Sequence, residues 1–401
     1  MIFLPFGFAG EFMTILHAAA VAAFLSGSAG SAADVPPPRE VTLSAADGTK
    51  LSATYYAAAK PGPAVLLLHM CNTTRRSWDP LATQLATAGI HALSVDYRGF
   101  GQSGGDRADS LPPQEAQRII NEKWPGDIDA AYDFLVGQPG VDGTRVGAAG
   151  GSCGVNQAVA VARRHSAVRS LALLAGPLAP PAIEFVAATP GLPIFAAAAA
   201  DDQYDANAPE SMRWIVALSG NPRNRFSGFK DGKHGTEIFG PHPELVQQIV
   251  AWYTDTLITG PADPKSNVGV KHSPMREFWR KAASPTGVAD AVRAFRDIPP
   301  GSRAEMIPEP QLNLLGYFHL QAGRADAAIR LFELNTIAYP ASANTYDSLG
   351  DAYLANGQND LALQMSERAL ALLPKDGSTA ERKKAIRDSA EQKIAKLKKR
   401  N

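Results

Sequence analysis

The chain has 401 residues, of which 45% are hydrophobic, and its 39 Lys and Arg residues balance its 39 Asp and Glu residues. This length suits one large domain and a smaller one, with enough apolar residues for a full core. The balanced charge gives no overall field that would attract nucleic acid or an acidic membrane surface, so neither is an expected partner. A small-molecule or protein substrate is the better starting hypothesis.

Residues 1–33 are predicted to be an export signal. Residues 15–25 form an apolar run of the length found in signal peptides, and Ser31, Ala32 and Ala33 supply the small residues that a signal peptidase needs. The run is shorter than a bilayer span, which argues against stable membrane insertion, although the leader contains no Lys or Arg. A membrane anchor and an apolar tail are the alternatives. We therefore expect a periplasmic or secreted protein.

Residues 34–258 are predicted to form a doubly wound, mostly parallel α/β sheet. A hairpin precedes residues 64–69, which form a continuous apolar run suited to a strand that is buried on both faces. Strands and helical segments then alternate as far as residue 257. In such sheets ligands bind beyond the carboxyl ends of the strands. The Pro- and Ala-rich residues 177–193 are expected to form only a short rim loop, which leaves an open cleft without a lid.

The motif Gly150-Gly151-Ser152-Cys153-Gly154 has the form G-x-S-x-G. It follows a short apolar strand and precedes a predicted helix, which is the setting of a turn that presents a serine above a sheet. A serine hydroxyl is a weak nucleophile, so it needs an imidazole base that a carboxylate orients. Ser152 is the candidate nucleophile, and the alternative is a serine that only caps the helix. A motif with Cys153 as nucleophile would need glycine at position 155, which is valine.

The base that would activate this serine is assigned to His234. It lies in a Gly-rich segment after the last predicted strand, and histidine is the side chain that most often serves as a general base. His242, between two prolines at the start of a helix, is the alternative.

Acidic residues directly after the predicted strand at residues 194–200 are the candidates for the carboxylate that orients this imidazole. Both Asp201 and Asp202 lie there. Asp202 is preferred because the following loop then begins at Gln203, in which case Asp201 is a turn carboxylate. Asp205 is a third candidate.

Three motifs together carry a resemblance to a known family. They are residues 96–103, with the sequence DYRGFGQS, the G-x-S-x-G turn, and residues 233–236, with the sequence KHGT. As a set they resemble the α/β-hydrolase fold, in the lid-poor group that includes dienelactone-hydrolase-like enzymes and short esterases. The resemblance covers roughly residues 41–257. It implies a serine hydrolase that cleaves a small-molecule ester, or an amide, through an acyl-enzyme intermediate without a cofactor or a metal.

The resemblance also implies two backbone N–H donors for an oxyanion. One belongs to Cys153, directly after the nucleophile, and the other to Cys71 or Met70, because the usual His-Gly-x segment is here His69-Met70-Cys71. The only two cysteines of the chain therefore fall on two loops that face one oxygen. A Cys71–Cys153 disulfide is one hypothesis. Two packed, unpaired thiols are the other.

Residues 259–308, rich in Pro, Gly and Ser around short helical segments, are predicted to be a linker. Beyond them, Leu315-Gly316 recurs as Leu349-Gly350 after 34 positions, which is the period of tetratricopeptide repeats. Residues 309–401 are therefore predicted to form an all-α domain of two repeats and a solvated, charged capping helix. Two roles are open for this domain. It binds a peptide or protein partner or a second copy of the chain, or it is a docked appendage that stabilises the sheet domain.

Two classes of function remain open at this point. One is a serine hydrolase acting on an ester. The other is a catalytically idle α/β-hydrolase fold that serves the repeats as a protein-interaction module. The presence of Ser, Asp and His in the order that this fold uses favours the enzyme. The acyl and alcohol groups of a substrate are not set by these motifs, because pocket walls come from variable loops.

Overall fold

The computed structural model of the protein describes residues 35–261 and 272–399. The predicted export signal lies outside the described residues, as does the part of the predicted linker at residues 262–271. By its contacts the chain from Val35 onward groups into one unit. In the described part of the chain, none of the helices has the length and apolar character needed to span a membrane.

One sheet of eight strands, in the order β1-β2-β4-β3-β5-β6-β7-β8, forms the centre of the described chain. The strands are β1 Arg39–Ser44, β2 Lys50–Tyr56, β3 Gly62–Leu68, β4 His91–Val95, β5 Val141–Gly151, β6 Val168–Leu174, β7 Ile194–Ala199 and β8 Arg225–Phe229. The pairs β1–β2 and β2–β4 are antiparallel, and the other neighbours are parallel. The predicted hairpin at the edge of a mostly parallel sheet is confirmed.

The central strands are continuously apolar because helices cover both faces of the sheet. The helices of this part are α1 Asp79–Thr87, α2 Pro113–Arg118, α3 Trp124–Val136, α4 Cys153–Arg164, α5 Pro180–Ala188, α6 Ala208–Ser219 and α7 Glu244–Tyr253. Leu66 and Leu68 of β3 belong to one core with α3 and α4, whereas Val65 and Leu67 belong to a second core with α1 and α7. Alternate residues of one strand thus pack in opposite directions.

Helix α5 corrects the expectation of a rim loop at residues 177–193. Pro180 and Pro181 begin the helix, at positions where a missing N–H removes no intrahelical hydrogen bond. Ile183 and Val186 are buried in the core that contains α4 and α6. The segment therefore builds a wall beside the carboxyl ends of the strands rather than an open rim.

Eight further α-helices follow in the described residues from 272 onward. They are α8 Pro274–Ala283, α9 Val288–Arg296, α10 Arg303–Met306, α11 Glu309–Gln321, α12 Ala325–Ala338, α13 Ala343–Ala355, α14 Asn359–Leu372 and α15 Ala380–Lys398. Phe278 and Trp279 of α8 are fully buried, and they share a core with Leu312 and Leu315 of α11 and with α5 and α6. The described residues between 274 and 296 therefore form helices that pack on this core.

Glycines that recur at the predicted spacing lie where paired helices cross. A Cβ atom added to Gly316 of α11 would collide with the ring of Phe332 on α12, and one added to Gly350 of α13 would lie 3.2 Å from Ser366 Oγ on α14. Close helix packing thus explains why small residues recur there.

The predicted solvated cap, α15, departs from that expectation at Lys393. This lysine is buried, and its Nζ forms ion pairs with Asp347 at 2.9 Å and Asp351 at 2.6 Å. A buried ammonium needs such partners, so one basic side chain of this helix is part of the packing against α13.

Candidate active site

Ser152 lies in the turn between β5 and α4, in a backbone conformation with φ of 53° and ψ of −122°. Positive φ is uncommon for a residue with a side chain and persists only where the surroundings hold it. The Ser152 N–H donates to the carbonyl of Leu174 at 2.9 Å, which fixes the turn against β6. The turn thus places the serine at the carboxyl end of the sheet, where the sequence predicted it.

The glycines of the motif follow from the tightness of this turn. A Cβ atom on Gly150 would collide with the carbonyl group of Gly154. One on Gly154 would collide with the carbonyl oxygen of Leu68 at the end of β3. The pattern G-x-S-x-G therefore reflects a close approach of strand and helix backbones, which only glycine permits.

Asp202 follows β7 and contacts the imidazole of His234, with 2.6 Å between Asp202 Oδ2 and His234 Nδ1. Its other oxygen, Oδ1, accepts the N–H groups of Tyr204 at 2.8 Å and Asp205 at 3.0 Å. Burial acts to raise the pKa of Asp202, but the hydrogen bonds to His234 and to the two backbone N–H groups outweigh it and hold the pKa below its ordinary value. The carboxylate therefore stays charged beside the ring.

The neighbouring carboxylate, Asp201, has a different partner. Its Oδ1 accepts the N–H of Lys233 at 2.9 Å, and Lys233 has a positive φ of 61°. Asp201 thus braces the turn that precedes His234, whereas Asp202 contacts the ring. The structure separates two residues that the sequence left as alternatives.

The remaining alternatives from the sequence lie in other hydrogen bonds. His242 contacts Glu244 at 2.9 Å through Nδ1 and Asp231 at 3.1 Å through Nε2. Asp205 accepts the N–H of Asn207 at 2.8 Å and the hydroxyl of Ser211 at 3.3 Å. Both side chains therefore have partners outside the Asp202–His234 pair.

The loop of His234 packs against the turn of Ser152. A Cβ atom on Gly151 would lie 3.7 Å from the Thr236 side chain, and one on Gly235 would lie 3.7 Å from the carbonyl of Leu174, which binds the Ser152 N–H. Among the hydrogen bonds of the described residues, none joins Ser152 Oγ to His234. Catalytic hydrogen bonds are often completed only when substrate binds.

Met70 stands at the position where the resemblance implied glycine, and its buried side chain fills the space between these two loops. Its Cγ lies 3.0 Å from the position of a Cβ on Gly151, and its sulfur lies so close to the position of a Cβ on Gly235 that a side chain there would collide with it. Thr236 Oγ1 lies 3.7 Å from the Met70 sulfur. The methionine therefore sets the separation between the serine turn and the histidine loop.

Cys71 and Cys153 are joined by a disulfide, with their Cα atoms 5.9 Å apart. It connects the loop after β3 with the first residue of α4. In the described chain neither backbone N–H of this pair donates to another group of the protein. The N–H groups of a first helical turn lack intrahelical acceptors and lie at the positive end of the helix dipole. Two free donors on adjoining loops can hold an oxyanion.

Two residues that the sequence did not single out complete the surroundings. Tyr204, 64% exposed, packs edge-to-face on the ring of His234, with 4.9 Å between ring centroids, and its hydroxyl accepts from Asn72 Nδ2 at 3.3 Å. Arg75 is buried and bonds Asp96, which lies in the DYRGFGQS segment. In the sequence, the only indication of a role for these two residues was that Tyr204 lies close to Asp202 and Arg75 lies close to Cys71. In residues 35–261 and 272–399, no group of three or more His, Cys, Asp or Glu side chains is arranged to hold a metal ion.

Known protein sequences match part of the chain. A Mycobacterium tuberculosis protein, itself uncharacterized, is 31% identical over 130 residues, which are 32% of this chain and 42% of that protein. A thiohydrolase of Aspergillus aculeatus is 33% identical over 109 residues, 27% of this chain and 32% of that protein. The chain thus spans less than half the length of these relatives.

Solved structures with similar coordinates include an esterase of Pyrococcus furiosus, with a TM-score of 0.44 and 16% identity over 55% of this chain and 90% of that one. A dienelactone hydrolase of Anabaena variabilis has a TM-score of 0.42 and 18% identity over 56% of this chain and all of that one. Residues 59–201 match the model of the family described as serine aminopeptidase, S33. The part of the sheet that carries the Ser152 turn is therefore similar to the α/β-hydrolases of the S33 family.

Proposed function

We propose that the protein is a serine hydrolase that cleaves a small-molecule ester or a related acyl bond such as an amide. The observation that carries this proposal is the 2.6 Å contact between Asp202 and His234, in a loop packed on a serine held at positive φ. The family match over residues 59–201 supports it, because the matched segment contains the Ser152 turn.

The proposed reaction has two steps. Ser152 Oγ attacks the carbonyl carbon of the substrate while His234 Nε2 takes the hydroxyl proton, and Asp202 holds the Nδ1–H and stabilises the imidazolium. The N–H groups of Cys71 and Cys153 donate to the tetrahedral oxyanion. Collapse of this intermediate transfers the proton from His234 to the leaving alcohol. A water molecule then attacks the acyl-enzyme with His234 again as base, which releases the acid and the free serine.

The nucleophile is tested by labelling with a fluorophosphonate probe, which reacts with activated serines. We expect the wild type to be labelled and Ser152→Ala to lose the label completely. Ser110→Ala, at an exposed serine, is the control and should label like the wild type. A folded wild type that takes up no label would contradict the proposal.

The acid is tested by comparing Asp202→Asn with Asp201→Asn in the hydrolysis of p-nitrophenyl acetate. Removing the carboxylate that orients a catalytic histidine lowers kcat by about 10⁴-fold in well-studied triads, so we expect a loss of that order for Asp202→Asn. Asp201 contacts only the backbone before His234, so Asp201→Asn should lose less than about tenfold in kcat. The reverse ranking would show that Asp202 is not the acid.

We further propose that α11 to α14 are two tetratricopeptide-like helix pairs that bind a peptide, a protein partner or a second copy of the chain. The recurrent glycines at the two helix crossings support this. A periplasmic or secreted location is likewise a proposal, which the Cys71–Cys153 disulfide supports because such bonds persist in oxidising compartments.

A further inference from the structure

A cavity of about 180 Å³ lies between α5, α6 and α11. Its lining is mainly apolar and comes from all three helices and the loop after β6, with Leu178, Ile183, Trp214, Ile215, Pro310 and Leu314 as the principal apolar side chains. Helix α11 belongs to the C-terminal helical region, so a segment far along the chain from the sheet closes this cavity. Leu314 is 39% exposed and therefore lies at the rim.

Two residues that line the cavity also contact residues of the candidate active site. Gly176, which lines it, touches the nucleophile turn so closely that a Cβ atom there would collide with the Ser152 carbonyl group. Asp205 also lines it, and its backbone N–H donates to Asp202 at 3.0 Å. Residues that line the cavity are therefore in direct contact with the serine turn and with the carboxylate beside His234.

The wall that α11 supplies is held in place by a buried hydrogen-bond chain. Gln311 is 8% exposed, and its Nε2 donates to Ser211 Oγ on α6 at 2.7 Å. The Ser211 hydroxyl in turn donates to Asp205 Oδ2 at 3.3 Å. The Ser211 hydroxyl has one proton, and it is used in the hydrogen bond to Asp205. Ser211 Oγ must therefore accept the hydrogen bond from Gln311. The helix cannot leave the cavity without breaking these bonds and exposing Leu312 and Leu315.

We propose that this cavity binds one small apolar arm of the substrate, either the acyl or the alcohol group, and that α11 thereby selects substrates by size. The proposal rests on the hydrolase function proposed above. Cavities that enclose a whole drug-sized ligand have volumes of roughly 300–1,000 Å³, so this smaller one accommodates part of a substrate. In an apolar pocket one methylene group changes kcat/KM by roughly 10–200-fold, which makes a fixed wall selective.

The test uses the full-length protein and two series of esters. One series varies the acyl chain from acetate to octanoate with p-nitrophenol as the alcohol, and the other varies the alcohol of an acetate ester. Leu314→Trp enlarges the rim residue and should lower kcat/KM for the larger arm at least tenfold while changing it less than threefold for the smallest ester. Leu314→Ala should move the preference toward larger arms. Leu361→Trp is the matched control, because Leu361 of α14 is 37% exposed and does not line the cavity.

Each outcome decides between the proposals. A shift confined to one series supports the cavity and identifies the acyl or the alcohol arm as its occupant. Unchanged selectivity in both Leu314 variants, with normal circular dichroism and normal fluorophosphonate labelling, overturns the cavity proposal and leaves the hydrolase intact. A folded wild type without label or turnover overturns both, since the cavity then has no substrate to select.

Discussion

At the residue scale, His69 shows how a buried polar group positions the loop of a candidate oxyanion donor. Its ring is inaccessible, its Nε2 accepts the Tyr97 N–H at 3.1 Å, and its Nδ1 donates to the Met70 carbonyl at 2.6 Å. A neutral imidazole has one N–H donor and one nitrogen acceptor, and both are used here. These partners assign the proton to Nδ1. Burial lowers the pKa of His69 to about 4, although the bond to Met70 acts to raise it. The ring is thus an uncharged brace for the backbone at Met70 and Cys71.

This neutral histidine predicts a loss of stability in acid. The folded pKa of about 4 lies below the ordinary 6.5, so the unfolded chain binds a proton that the folded chain does not. The stabilisation is complete above pH 6.5 and falls toward pH 4 by roughly 3 kcal/mol, at about 1.36 kcal/mol per pKa unit. We expect the free energy of unfolding of the wild type, measured in urea, to approach that of His69→Gln as the pH falls from 7 to 4.5. A difference that stays constant with pH would contradict this prediction.

At the element scale, Arg75 ties together the segments that follow β3 and β4. Its guanidinium bonds Asp96, Gln102 at 2.6 Å and Glu40 of β1 at 2.5 Å, and its backbone N–H donates to Asp96 Oδ1 at 2.7 Å. The side chain of Arg75 is 2% exposed, and that of Asp96 is fully buried. The loop that carries Cys71 therefore leads into a fixed anchor rather than a mobile surface turn.

Substitutions of the adjacent residues Arg75 and Arg76 test this anchor, because both contact Glu40 but only Arg75 is buried. Arg75→Leu leaves the Asp96 carboxylate buried without its charged partner and with only backbone N–H donors, and we expect a loss of about 3–5 kcal/mol in the free energy of unfolding. Arg76 also contacts Glu40, at 2.7 Å, but is 51% exposed, so Arg76→Leu should cost less than about 1 kcal/mol. Urea denaturation of both variants measures the difference. Equal losses would mean that the buried pair does not anchor the loop.

At the scale of the whole molecule, the C-terminal helices and the sheet share one apolar core. Trp279 of α8 and Leu315 of α11 lie in the same cluster as residues of β6 and α6. The described helical region is therefore built into the side of the hydrolase-like sheet, where it closes a cavity that is lined in part by Gly176, a neighbour of the Ser152 turn. The disulfide adds a covalent link between two positions separated by 82 residues.

The disulfide predicts a redox dependence of stability and of the proposed activity. A crosslink that closes a long loop restricts the unfolded chain, so reduction, or the double change Cys71→Ala and Cys153→Ala, should lower the free energy of unfolding by about 2–5 kcal/mol. The same two residues carry the proposed oxyanion donors, so dithiothreitol should also slow fluorophosphonate labelling of the wild type. The double variant should not respond to dithiothreitol. Two titratable thiols in the denatured, unreduced protein would contradict the pairing.

The local sequence pattern predicted the mostly parallel sheet and its edge hairpin, because strands buried on both faces must be apolar throughout and strand-helix alternation requires crossovers. It also identified the Ser152 turn, whose glycines are required by backbone contacts close in the chain or across one strand. The apolar runs and the five-residue turn pattern can each be recognised within a short stretch of sequence, although the contact that requires Gly154 comes from Leu68 of β3.

Other features depended on packing between distant segments. Asp201 and Asp202 are adjacent and chemically identical, and only the path of the turn directs one to Lys233 and the other to His234. Helix α5 was concealed by its Pro and Ala content, since those residues are equally common in loops. The cavity wall that α11 contributes follows from how the C-terminal helices dock on the sheet. The hydrophobic periodicity of α11 does not predict what this helix packs against. That depends on the shapes of two surfaces that meet only in the folded chain.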